Sequence, residues 1–355
     1  MKRLLIALMT TTAALSMAAG AQAQEKLKAC WVYVGPIGDF GYSYQHDQGR
    51  LDVEKALGDK VETAYLENVA EGPDAERAFE RLAREGCKVI FGTSFGFMDS
   101  EVKVAKRFPD IKFEHATGYK TGDNLGIYNA RFYEGRYVIG QIAAKESKTG
   151  VAGYIVSFPI PEVVMGINAF MLGAQSVNPE FKAKIVWVNS WFDPGKEADA
   201  AKALFDQGAD IIVQHTDSTA PLQVAQERGL HGFGQASDMA KFAPKAQYTA
   251  IVDNWGHYYV ERVKAVLDGT WKPENVWLGI KDDAVHMSEF SNMSDETKAM
   301  AVATEKKIAE GWNPFTGPVA KQDGTPWLKD GEVADDGTLL GMNFYVKGVD
   351  DKLPQ

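Results

Sequence analysis

Short apolar runs alternate with amphipathic stretches along most of this chain, and that alternation is what most limits its fold. Residues 28–34 read as a strand and 43–57 as a helix. Residues 61–67 form the next strand, and 73–85 a helix that opens on Pro73. In that helix Ala75, Ala78, Phe79 and Leu82 recur at i, i+3, i+4 and i+7. Strands are predicted at 88–93, 112–116 and 125–130, with helices at 97–107 and 133–146. The theme then restarts, with strands at 151–157, 184–189, 210–215, 232–236 and 248–253. Helices at 161–176, 196–207, 220–228 and 255–267 separate them, and Gly269 ends the last. Near-continuous apolar strands between helices mean parallel sheets covered on both faces, an α/β architecture. A single sheet of about a dozen parallel strands would be unusual. Two sheets of about half that size are expected, with the break near 128–134. The tail after Trp312 is rich in Gly, Pro and Asp but carries Phe315, Trp327, Leu339, Met342, Phe344 and Tyr345. It reads as an ordered arm packed on the body.

Charge removes several function classes. Lys and Arg number 38 against 48 Asp and Glu, a net charge of −10. A net acidic chain lacks the clustered cations that neutralise nucleic-acid phosphates or hold a protein to anionic lipid. The first residues bear on the compartment. Lys2 and Arg3 precede an apolar, small-residue stretch, and Ala21-Gln22-Ala23 is an A-x-A cleavage site. Residues 1–23 therefore read as a secretory signal peptide. The cleavage site has no Cys, so no lipid anchor is expected, and no later stretch is long and apolar enough to span a bilayer. Cys30 and Cys87 are the two cysteines. In an oxidising compartment they could form a disulfide, with a stabilisation of roughly 4 kcal/mol in the chain-entropy model. Two buried free thiols are the other reading.

Open parallel sheets bind ligands beyond the carboxyl ends of their strands. The residues there include Asp39, Tyr42, Tyr44 and His46 after the first strand, and Ser94, Phe95 and Phe97 after the third. Phe158, Trp191, Asp217, Asp238 and Trp255 follow later strands. Aromatics and carboxylates dominate, and Arg131 and Lys281 are the nearest cations. An anionic ligand would want Arg or a Gly-rich cradle. Aromatic plates with acidic acceptors suit an uncharged flat ring with N–H or O–H groups, or a sugar. Each aromatic could instead pack beneath a loop. Gly92-Thr93-Ser94-Phe95-Gly96 also matches the nucleophile-elbow pattern, with Asp217 and His257 as conceivable partners. It lacks an oxyanion segment and follows an early strand. The six histidines show no zinc spacing, no cofactor is expected, and Gly232-x-Gly234 falls short of a dinucleotide motif.

These loops resemble a known family. GDFGYSYQHDQG (38–49), IFGTSFGFMD (90–99), NARFYEGRYVIGQIA (129–143), IPEVVMGINAFMLGAQSVNP (160–179) and FGQASDM (233–239) carry the likeness. So do the stretch 188–212 and the tail segments 313–324 and 342–349. Together they resemble the basic membrane protein family of ABC-transporter solute-binding proteins, whose characterised members include purine nucleoside receptors. The resemblance implies a type I periplasmic-binding-protein fold, two Rossmann-like lobes joined by three crossings. Those crossings are expected near 129–132, 249–254 and 279–283. The first lobe would hold 24–130 plus 252–280, and the second 131–251 plus 281–355. The likeness puts a stacking aromatic at Tyr42, a second at Trp191, a ribose- or base-binding carboxylate at Asp238 and a lysine at Lys281. Asp39, Ser94 and Asp217 would share hydrogen bonds with the ligand, and Tyr44, Phe95 and Trp255 would surround it. The sequence departs from the family at Ser43, where Asn is usual, in the spacing around Tyr44, and in lacking the lipid-anchor Cys. A purine base such as adenine therefore stands beside a nucleoside. The expectation is a monomeric periplasmic receptor that hands its ligand to an ABC permease. A sugar or other heterocycle receptor, a sensory receptor and a hydrolase built on Ser94 are the alternatives.

Overall fold

A computed structural model describes residues 26–354. The signal-peptide reading of residues 1–23 lies outside the described residues. The chain starts with β1 (Leu27–Val32), α1 (Tyr42–Leu57), β2 (Val61–Leu66), α2 (Pro73–Arg84), β3 (Val89–Gly92), α3 (Met98–Arg107), β4 (Lys112–Ala116) and β5 (Leu125–Ala130). It continues with α4 (Tyr133–Glu146), β6 (Val151–Val156), α5 (Pro161–Val177), β7 (Lys182–Trp187), α6 (Pro194–Asp206), β8 (Ile211–His215), α7 (Ala220–Glu227), β9 (His231–Ala236) and β10 (Gln247–Asp253). Then come α8 (Gly256–Leu267), β11 (Asn275–Leu278), β12 (Val285–Met287), α9 (Asp295–Ala309), β13 (Val319–Ala320), β14 (Pro326–Leu328) and α10 (Asp336–Leu340).

Two six-stranded sheets result, ordered β11-β5-β4-β3-β1-β2 and β12-β10-β9-β8-β6-β7. Every pairing in them is parallel except β10 with β12. The chain passes between the sheets three times: from β5 to α4, from β10 to α8, and from β11 to β12. Strand β1 shows why its sequence suits a doubly covered sheet. Cys30 and Val32 face a core under α2 and α3, while Ala29 and Trp31 face the core shared with α1 and α8. The second sheet is covered likewise, by α4 and α5 on one face and by α6 and α7 on the other.

Helices α4 and α5 approach unusually closely because glycines meet across them. A Cβ at Gly140 would lie 2.1 Å from the Phe170 carbonyl, and one at Gly173 2.1 Å from that of Tyr137. Cys30 and Cys87 are joined by a disulfide, with Cα atoms 6.0 Å apart. The tail is ordered, as expected. Asn168, buried on α5, donates to the Phe344 carbonyl at 2.8 Å and accepts from Val346 N–H at 3.0 Å. It thus meets the arm as a strand's own backbone would. No helix among the described residues is long and apolar enough to cross a membrane.

Three differences from the sequence reading stand out. A 3₁₀ turn at Phe95–Phe97 precedes α3. Strand β7 begins two residues early, at Lys182. Strands β11 and β12 and helix α9 were not anticipated; the strands are four and three residues long, too short to show a period. Helix α9 did carry a start signal, since Ser294 caps it by accepting from Thr297 N–H at 3.2 Å.

Candidate functional site

The carboxyl ends of the two sheets face each other across a narrow cavity. Val34, Tyr42, Ser94, Phe95 and Thr117 line it from the first sheet's loops. Glu162, Trp191, His215, Asp217 and Gln235 line it from the second. Five of the expected residues therefore share one space: Tyr42, Ser94, Phe95, Trp191 and Asp217. The other five are placed elsewhere, each for a visible reason. Asp39 is buried and turned to its own loop, accepting from the N–H groups of Gly41 (2.8 Å), Tyr44 (3.0 Å) and Ser43 (3.1 Å). It organises the entry to α1 as an Asx-type cap. Tyr44 packs on Phe40, with ring centroids 5.2 Å apart. Asp238 is exposed and accepts from Ala240 N–H (3.0 Å) and Gln247 Nε2 (2.7 Å). Trp255 is 1% exposed and stacks on His46 at 5.2 Å. His46 in turn meets Tyr42 edge-on at 4.3 Å, so Trp255 supports Tyr42 from behind. Lys281 is exposed on the third connection between the sheets.

The two sides already touch. A Cβ on Gly41 would lie 2.4 Å from the Asp217 carbonyl. Ser237 Oγ donates to the Phe40 carbonyl across the cleft. The Phe40 ring meets Phe242 at 4.7 Å and lies 4.1 Å below the Lys241 ammonium. A further bridge runs through Glu71, whose Oε1 accepts from Ser94 Oγ (2.6 Å), Gly96 N–H (3.2 Å) and, from the other side, Trp191 Nε1 (3.2 Å). Glu71 sits late in the loop between β2 and α2, away from the strand end itself. His215 and Gln235 were missed because they lie within their strands rather than after them. Glu162 was missed because it sits in the first turn of a helix.

Burial governs the electrostatics. Burial pushes Glu162 up to about 7, against the pull of the Arg136 guanidinium. Asp253 is raised by burial and by Glu162. Asp217 is raised by burial and by the neighbouring Asp39, which burial itself lifts to about 6 against its backbone hydrogen bonds. Burial holds His215 and His46 well below the ordinary imidazole range, so both are neutral at pH 7. Arg136 is 1% exposed and already engaged, donating to the Gln214 carbonyl at 2.9 Å and to Gln235 Oε1. Its Nε is unpartnered, but Arg136 does not line the cavity and so presents no fork to an anion there. Among the lining residues Tyr42 Oη and His215 Nδ1 are buried without a hydrogen-bond partner. Such orphans mark where a ligand's own donors and acceptors belong. Among the described residues no cluster of His, Cys, Asp and Glu could hold a metal.

The hydrolase alternative is corrected by this geometry. Ser94 has an extended backbone (φ −150°, ψ 142°), not the strained turn of a nucleophile elbow. Its hydroxyl is paired with the Glu71 carboxylate instead of an imidazole, and His257 is exposed on α8.

Two mainly parallel sheets joined by three crossings, with a cleft between their carboxyl ends, define a type I periplasmic-binding-like fold. A solute-binding protein from Aeropyrum pernix K1 shares the fold at TM-score 0.70 and 17% identity, over 80% of this chain and 92% of that one. Residues 26–313 match the family described as ABC transporter substrate-binding protein PnrA-like, and the chain belongs to that family. It is a substrate-binding protein, not an enzyme, and its family works outside the cytoplasm. A purine-binding protein of Brucella abortus (strain 2308) is 68% identical over 346 residues, covering 97% of this chain and 99% of the relative. A putative ABC transporter glucose-binding protein of Haloferax volcanii is 38% identical over 332 residues, covering 93% and 82%.

Proposed function

We propose that the chain is a monomeric periplasmic receptor, exported through a cleaved signal peptide, that clamps an uncharged purine and delivers it to an ABC permease. Residues 24–130 with 252–280 act as one lobe, and 131–251 with 281–355 as the other. Tyr42 and Trp191 stack on the purine from opposite lobes. Ser94, Asp217, His215 and Glu162 hydrogen-bond its edges, while Asp39 and Trp255 hold the first-lobe loop in place. No bond is made or broken; hinge closure buries the ligand and presents the closed form to the transporter. The observation that carries this reading is the pairing of two aromatic plates with neutral, unpartnered polar groups on Tyr42 and His215 and no Lys or Arg in the lining. An uncharged heterocycle with several N–H and N: edges satisfies that set, whereas a phosphate or carboxylate does not. The name of the Brucella relative points the same way.

Glucose is the second reading. The Haloferax relative's name favours it, and sugars also lie on aromatic faces beside carboxylates. Calorimetric titration of ligand-free protein with adenine, adenosine and glucose separates the two. Purine binding with no glucose heat is expected; glucose binding without purine binding overturns the proposal.

A further inference from the structure

A second cavity adjoins the first and shares Phe95, Thr117 and Glu162 with it. Beyond that common wall its lining is mainly apolar, with Ala130, Pro161, Met165, Trp277 and Leu340 against the single amide of Asn129. Tyr119, 60% exposed, is also part of it. The two cavities differ in their polar groups. Tyr42 and His215 in the first each carry a buried polar atom without a partner, and no residue lining the second does. A ribose would bring several hydroxyls that need partners; Asp238 and Lys281, whose charged ends could serve them, line neither cavity, and Asn129 offers one amide for them all. Water gains little in so apolar a recess. The chemistry favours an apolar group.

Resting on the purine reading, we propose that the cleft accepts purines bearing an apolar substituent on the exocyclic amine. The ring lies between Tyr42 and Trp191, and the substituent occupies the annex over Met165, Trp277 and Leu340. Glu162 stands at the junction between the cavities. There its carboxyl group can take the one N–H that a secondary exocyclic amine retains, leaving the amine's other valence free to enter the annex.

Calorimetric titration with adenine, N6-benzyladenine and adenosine tests this. N6-benzyladenine should bind about tenfold more tightly than adenine, since pocketed apolar groups discriminate on that scale. Leu340 is 38% exposed, so Leu340→Asp should fold, and it should bring the two dissociation constants together. Binding of adenine with exclusion of the benzylated base overturns the annex assignment alone. So does an adenosine affinity above that of adenine which Leu340→Asp abolishes, because it would put ribose there. Failure of all three purines to bind removes the purine reading and this assignment with it. A thermal melt of Leu340→Asp matching the parent confirms that the change in selectivity is local.

Discussion

The two walls of the cleft are built on different principles. On the first-sheet side most loop polar groups are already paired. Asp39 holds three backbone N–H groups, Ser43 Oγ accepts from Gly35 N–H at 3.1 Å, and Glu71 takes Ser94 and Gly96. Tyr42 Oη is the exception among the cavity-lining groups of that wall, and behind it His46 Nε2 and Trp255 Nε1 are also unpartnered. On the second-sheet side His215 Nδ1 lines the cavity without a partner, and Ser157 Oγ, Gln214 Oε1, Thr216 Oγ1 and Asp253 Oδ1 are buried unpartnered behind the lining. The contrast teaches that the first wall is preorganised to shape the cleft and to close, while the second holds unspent hydrogen-bonding capacity. A ligand should then be oriented chiefly by the second wall and enclosed by the first.

The largest expected effect tests closure. Gly41 meets the Asp217 backbone directly, so Gly41→Val would wedge the walls apart. Ligand affinity should fall by about 100-fold or more, since the second wall's contacts form only on closure. Small-angle scattering should show the variant keeping its larger, ligand-free radius when ligand is added. A ligand-induced contraction equal to that of the parent would show that the walls do not meet at Gly41.

The next tests the unequal division of recognition. His215→Phe keeps a ring in place but removes the unpartnered nitrogen. Its cost should be about 1–3 kcal/mol, a 5- to 150-fold weakening by titration calorimetry. Ser94→Ala, on the already satisfied wall, should cost less. Equal losses would erase the proposed distinction between the walls.

A smaller effect concerns Glu71, which couples the walls through Trp191 Nε1. Glu71→Ala should speed ligand release several-fold in stopped-flow traces of tryptophan fluorescence. Glu71→Gln should restore the parental rate, because the amide oxygen still accepts from Ser94, Gly96 and Trp191. Trp191→Phe keeps the plate and loses the N–H, so its effect should not add to that of Glu71→Ala. Additive losses would mean that the two residues act separately.

The same contrast explains what the sequence made legible. Fold class, sheet number and the convergence of Tyr42, Ser94, Phe95, Trp191 and Asp217 follow from strand periodicity and the strand-end rule, because parallel strands bring their carboxyl ends together. What a carboxylate faces is a tertiary matter. Asp39 and Asp238 look like ligand acceptors in the sequence, yet both accept from nearby protein N–H groups, Asp39 wholly from its own loop's backbone. Trp255 follows a strand but packs inward on His46. Glu162, His215 and Gln235 reach the cavity from a helix start and from within strands, where apolar patterning masks them.

The smallest effect is in pH. Glu162 on the second wall and Asp39 on the first have pKa values raised to about 7 and about 6, from ordinary values of 4.5 and 3.8. A carboxyl raised on folding takes up a proton as the chain folds. Its contribution is fully present below the unfolded value and is lost as pH rises through the folded one. Stability should therefore decline between pH 4 and 7, with the Glu162 share, of order 1 kcal/mol once the water the cavity admits is allowed for, lost last. Glu162→Gln should reduce the upper part of that decline, near pH 5 to 7, in thermal melts, the remainder belonging to Glu134, which burial also raises to about 7, and leave the Asp39 share below it unchanged. Ligand should shift only the upper part if it meets Glu162, because Asp39 is committed to its own backbone. A ligand effect confined to the Asp39 window would place recognition on the first wall and reverse the comparison.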